Sequence, residues 1–117
     1  MIEISYANIM NGMNRDLNMM CICPSDRVAE HLFFNACELW YIKGFSKVFK
    51  QRREIQYGDI MFRFRNLGSI NHDQWMGFRG IFLFHPDFQN ALLPDRQHEL
   101  LMQLNQHNER YLDKWRA

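Results

Sequence analysis

Ile60-Met61-Phe62-Arg63-Phe64-Arg65 alternates apolar and longer polar or flexible side chains with a period of two. Successive side chains of a strand point to opposite faces, so this segment predicts Ile60, Phe62 and Phe64 turned to a core and Arg63 and Arg65 held on a solvent face. Gly58-Asp59, just before it, reads as a turn, and Lys47 to Tyr57 as extended but mostly polar chain. Beyond it, Phe78 to Phe84 contains Ile81-Phe82-Leu83-Phe84, apolar on both faces. A run of that kind predicts the central strand of the sheet, at about 78–85.

Helical periods flank these strands. Pro24-Ser25-Asp26 supplies a cap and an early acid, and Val28, Ala29, Leu32, Phe33, Ala36, Leu39 and Trp40 then cover one broad face up to Gly44. This predicts a helix at about 25–43. From Pro94, the stripe Leu100, Leu101, Leu104, Tyr111, Leu112 and Trp115 predicts a second, at about 95–115, with Asp95 and Glu99 near its start and Arg110, Lys114 and Arg116 near its end. Asn108 interrupts that stripe, and a polar residue there either lies near the surface or fixes a particular pairing. Tyr6, Ile9, Met10 and Met13 behind Ser5 suggest a helix, and Leu17 to Cys23 a short strand. Together these predict one α+β domain over 1–117, with an antiparallel sheet of three or four strands covered on one face by the 25–43 and 95–115 helices.

Composition bounds the function. The 117 residues suit a single core. There are ten Phe and eight Met, so strands must rest on Phe, Ile and Tyr, with Met filling irregular space. The start of the chain predicts no secretory leader, and no apolar run approaches a membrane span. Three cysteines, two of them in Cys21-Ile22-Cys23, leave an odd thiol under any internal pairing and point to a reducing cytoplasm.

Cys21, Cys23, His31 and Cys37 are potential zinc ligands, but C-x-C lacks the usual spacer, and His31 and Cys37 fall on different sides of the predicted helix. The sequence predicts buried thiols and no metal. His72-Asp73 and His85-Pro86-Asp87 read as exposed turns rather than an acid/base pair or a hydrolase metal centre, with a weak metal site left open if both segments meet at one end of the sheet. The six glycines are dispersed, which excludes a phosphate loop, and no serine nucleophile elbow occurs. No cofactor is implied.

Tyr57-Gly58-Asp59-Ile60, followed by Gly68, Gln74, Gly77, Arg79, an apolar strand, Pro86 and Asn90, resembles the opening of plasmid-maintenance endoribonuclease toxins of the MazF and PemK type. The resemblance covers about 33 residues and implies that Arg79 stabilises a phosphate. Gly80 stands where those toxins place a proline, and the chain has no threonine to match the one they use in catalysis.

The strongest signal is charge. Lys43 to Arg65 holds seven cations against Glu54 and Asp59, a net +5 within a chain of net +1, interleaved with Phe45, Phe49, Tyr57, Phe62 and Phe64. Cations beside aromatic anchors predict a binding surface formed by Lys47, Lys50, Arg52, Arg53, Arg63, Arg65 and, from the long loop at Leu67 to Gly77, Trp75. Such a coat also serves simply to protect a solvated edge strand. The expected function is non-enzymatic binding of a macromolecular partner, a protein assembly with or without nucleic acid, as in a phage or mobile-element inhibitor or accessory factor. Binding of single-stranded nucleic acid or RNA is the alternative, and endoribonuclease activity, implied by the resemblance to the MazF and PemK toxins, the minor one. The Tyr111 and Trp115 end is open to use in a homodimer.

Overall fold

Met19–Cys23 forms β1, buried at all five positions. The chain is described from a computed structural model that covers residues 1–41, 46–71, 75–90 and 92–117. Around β1 lies a sheet whose remaining strands are β2 (Ser46–Phe49), β3 (Glu54–Tyr57), β4 (Ile60–Asn66) and β5 (Ile81–Phe84), in the order β2-β3-β4-β1-β5. β1 runs parallel to both β4 and β5, whereas β2-β3 and β3-β4 are antiparallel. The sheet is therefore five-stranded and mixed, not an antiparallel sheet of three or four strands.

The cause lies in β1. A strand buried on both faces carries no alternation, and Met and Cys have little strand preference, so its pattern understates its role. β5 is as deeply buried as expected for a central strand. It nevertheless lies outermost in the ladder order, and β1 and β4 take the middle. The outer side of β5 is closed by other means. The Ile4 amide donates to the Phe84 carbonyl and the Phe84 amide to the Ile2 carbonyl, both at 2.8 Å.

Helices α1 (Tyr6–Asn14) and α2 (Asp26–Tyr41) cover the first face, where Met13, Ala29, Phe33 and Ala36 meet Met19, Cys21, Cys23, Ile55, Phe62, Phe64, Ile81 and Leu83. Ser5 caps α1, its Oγ accepting from the Asn8 amide at 3.1 Å. Ser25 does the same for α2 through the Val28 amide at 3.2 Å. Residues 42–45, the end of the helix expected over 25–43, lie outside the described residues.

Helix α3 (Asp95–His107) covers the second face. Its Leu101 and Leu104 pack with Met20, Ile22, Phe82, Phe84, Leu67 and Phe78. The two long helices thus sandwich the sheet instead of sharing one face. Strands with both faces apolar need cover on both sides, which β1 and β5 obtain only in three layers. The helix expected over 95–115 is also divided: Asn108–Tyr111 is a 3-10 turn, followed by the short helix α4 (Leu112–Arg116). Asn108, 2% exposed, holds Phe82 of β5 like a neighbouring strand. Its Oδ1 accepts from the Phe82 amide at 2.7 Å and its Nδ2 donates to the Phe82 carbonyl at 2.8 Å. The chain end then wraps around that edge, and Tyr111 and Trp115 pack on the first-face core, so this stripe is used within the chain.

Candidate binding face

Cross-strand register builds the candidate face. On the second face Lys47, Gln56 and Met61 form one row across β2, β3 and β4, and Phe49, Glu54 and Arg63 form the next, continuing to Met20 of β1. Arg65 stands beside Ile22. α3 covers the part of this face over β1 and β5, and the part over β2, β3 and β4 carries the polar set. Arg63 and Arg65 do project together opposite a core-facing Phe62 and Phe64, as the alternation predicts.

Glu54 organises the cluster. It is 6% exposed, and a carboxylate buried to that degree needs charge partners. Three are supplied. Arg52 Nε lies 3.7 Å from Oε1, Arg63 Nε 3.5 Å from Oε2, and Arg65 Nη2 donates to Oε2. Arg65 is fixed further by Nη1, which donates to the carbonyls of Arg52 at 2.7 Å and Phe64 at 2.9 Å. The Arg52 guanidinium lies 4.4 Å from the centre of the Phe49 ring, and that of Arg63 5.9 Å from Phe78. Three cations on one carboxylate leave a positive surplus held in fixed positions, with aromatic rings beneath two of them.

The other expected residues are distributed differently. Lys47 and Lys50 are exposed, on β2 and on the turn that follows it. Arg53 is diverted toward the amino end of α2: Nη1 donates to Asp26 Oδ1 at 2.9 Å and Nη2 to Oδ2 at 3.4 Å. That bond and the adjacent positive charge hold the Asp26 carboxyl below its ordinary pKa. Arg53 closes the β2-β3 turn in the left-handed region at φ 51°, and its carbonyl accepts from the Phe64 amide at 3.1 Å. Trp75 lies toward α3. It packs beside the second-face core and lines a hollow of about 390 Å³ with Met76, Gln103, Gln106, His107, Glu109 and Arg110.

Phe49 stood among the aromatics interleaved with the cations, but Glu54 and Asp26 were not legible as site residues. Only the i, i+2 spacing of Arg52 and Glu54, which places both on one face of an extended chain, hinted at the former. Arg79 is exposed and lies just before β5, at the end of the parallel strands opposite Arg65. His85 caps the 3-10 turn Pro86–Gln89, its Nδ1 accepting from the Asp87 amide at 3.1 Å, while His72 and Asp73 lie outside the described residues. Cys21, Cys23 and Cys37 are free thiols. Among the described residues no three His, Cys, Asp or Glu side chains gather as metal ligands, and no helix is long and apolar enough to cross a membrane. Comparison with family models, with curated proteins and with solved structures yields no match.

Proposed function

We propose that this chain is a small non-enzymatic binding protein whose β2–β4 face docks a macromolecular partner that presents anionic groups. The observation that carries this is the half-covered second face, where Arg52, Arg63 and Arg65 surround one buried carboxylate and Lys47 stands in the adjacent cross-strand row. Arginines fixed in place lose little side-chain freedom on binding, and Phe49 and Met61 add apolar contact area. A protein assembly, with or without nucleic acid, is the partner such a mixed face suits, and an inhibitor or accessory factor is the role.

The test is capture from the native host with wild-type protein and with the Lys47→Glu/Arg63→Gln double variant, eluates being read for protein and for nucleic acid. Both substituted side chains are at least partly solvated, so the fold survives, which thermal melting checks. A partner held stoichiometrically by wild type and lost by the variant is the expected result. Equal retention by both proteins refutes the assignment of this face. Nuclease treatment separates the two partner classes: a nucleic-acid ligand gives binding that weakens steeply with salt.

A further inference from the structure

A second feature lies at the end of the sheet, beyond the face just described. From the carboxyl end of β1 the chain turns through Ser25 into α2 on the first face. From the carboxyl end of the adjacent parallel β4 it turns through the 3-10 segment Leu67–Ser69, whose Leu67 packs on the second face. Neighbouring parallel strands whose connections leave to opposite faces open a crevice between them, the usual ligand position in open α/β sheets. Beside that switch point, between the β2-β3 turn, the carboxyl end of β4 and the start of α2, lies a crevice of about 230 Å³ lined by Gln51, Arg52, Arg53, Arg65, Asn66 and Ser69, with Asp26 at its rim.

We propose that this crevice binds a phosphate group, gripped by Arg52 and Arg53 against a wall formed by Arg65. Three guanidinium groups enter from the β2-β3 turn and from β4, so their donors approach from several directions. A tetrahedral oxyanion accepts from such a set, whereas a planar carboxylate is satisfied by a single fork. Arg65 is immobile, held by two carbonyls and Glu54. Arg52 is 60% exposed and meets Glu54 at Nε, which leaves the other edge of its guanidinium for a second anion.

Asp26 is the resident anion. Both its oxygens take the Arg53 fork, yet its side chain is 69% exposed. A carboxylate so placed turns out to water at little cost, and Arg53 then passes from a monovalent partner to one of higher charge. Asp26 therefore competes with the ligand, which gives the proposal an unusual sign: removing an acid strengthens binding without adding a contact.

The experiment titrates inorganic phosphate into the full chain, with chloride at matched ionic strength as control, and follows the backbone amides of residues 51–53 and 65–69. Saturable shifts are expected. Asp26→Asn should tighten phosphate binding roughly twofold or more, the order of an exposed ion pair, and Arg52→Ala should weaken it at least as much. Both positions are solvated, so unchanged melting temperatures certify the fold. Short single-stranded oligonucleotides with and without a 5′-phosphate then compete with inorganic phosphate. Competition only by the phosphorylated strand assigns a terminal phosphate, competition by both a backbone phosphodiester, and competition by neither a free phosphate ester, each within the proposal. Absence of saturable shifts in both wild type and Asp26→Asn, or shifts indifferent to both substitutions, overturns it. Lys47 and Arg63 do not line the crevice, so Lys47→Glu/Arg63→Gln should retain phosphate binding whatever becomes of the macromolecular partner.

Discussion

At the scale of single residues, three buried polar groups decide more than their number suggests. Glu54→Gln keeps the volume but leaves Arg52, Arg63 and Arg65 around a neutral amide. A wholly buried pair broken in this way costs about 3–5 kcal/mol, but these arginines are partly solvated, so a loss of about 1–2 kcal/mol is expected in urea unfolding. Asn108→Ala strips two hydrogen bonds from the fully buried Phe82 backbone and should cost about 2–4 kcal/mol in the same measurement. His107 adds a pH dependence. It sits among Phe78, Phe82 and Tyr111, and its Nε2 finds no hydrogen-bond partner among the described residues. Burial lowers its pKa, Arg110 lowers it further, and the Gly80 carbonyl works the other way. The unfolded chain thus takes up this proton at a higher pH than the folded one. Stability from this group is complete above about pH 6.5, the unfolded value, and declines as pH falls toward the depressed folded value. Urea midpoints at pH 7.5 and 5.5 should therefore fall further apart in wild type than in His107→Gln.

At the scale of elements, what the sequence revealed and what it hid follow from the same rule. Alternation exists only where one face of a strand is wet, so Ile60 to Arg65 was readable residue by residue, including the common direction of Arg63 and Arg65. Met19–Cys23 has no wet face and no β-branched run, and nothing in its pattern declared it the parallel strand on which the order of the sheet depends. Without β1 in that role, both long helices could be assigned to one side. The stripe of each helix was legible, but not the layer it covers. Likewise the arginines were visible as a charge run, whereas their sorting was not: Arg53 went to Asp26 on another element, and Arg63 and Arg65 joined Arg52 on Glu54 across the β3-β4 ladder. Close approach between elements leaves its own prediction. A Cβ on Gly80 would stand 2.2 Å from the Asn18 carbonyl oxygen, a backbone atom that also accepts from the Ile81 amide at 2.9 Å. Neither strand end can yield without losing that bond, so Gly80→Ala should cost about 1–3 kcal/mol, read as a lower urea midpoint with an unchanged slope.

At the scale of the whole molecule, the sheet has two unlike ends. The β5 side is sealed by the backbone of Ile2 and Ile4 and by Asn108, whereas the β2 side is a short edge carrying Lys47 and the arginine face beside it. Short, charged edges resist strand-to-strand association, so this arrangement leaves a polar face addressable while the apolar core stays enclosed. The strand between these ends is bonded on both sides and covered on both faces, and its thiols report whether the enclosure opens as a unit. Cys21 and Cys23 are fully buried, and burial pushes Cys23 up to about 12 and Cys21 well above its ordinary value. Cys37 on α2 is half-buried and raised less decisively by the same cause. Because the thiolate is the reacting form, an aromatic disulfide reagent at pH 8 should modify Cys37 first. Cys21 and Cys23 should react together and only through global unfolding, since no opening confined to one helix uncovers both faces of β1. The logarithm of their labelling rate, with each site located by mass spectrometry, should rise in Glu54→Gln and Asn108→Ala in proportion to the stability each loses, while Cys37 keeps its rate. If Cys23 labels as fast as Cys37 in wild type, the carboxyl end of β1 opens locally and the sheet is not the single cooperative unit its hydrogen bonding implies.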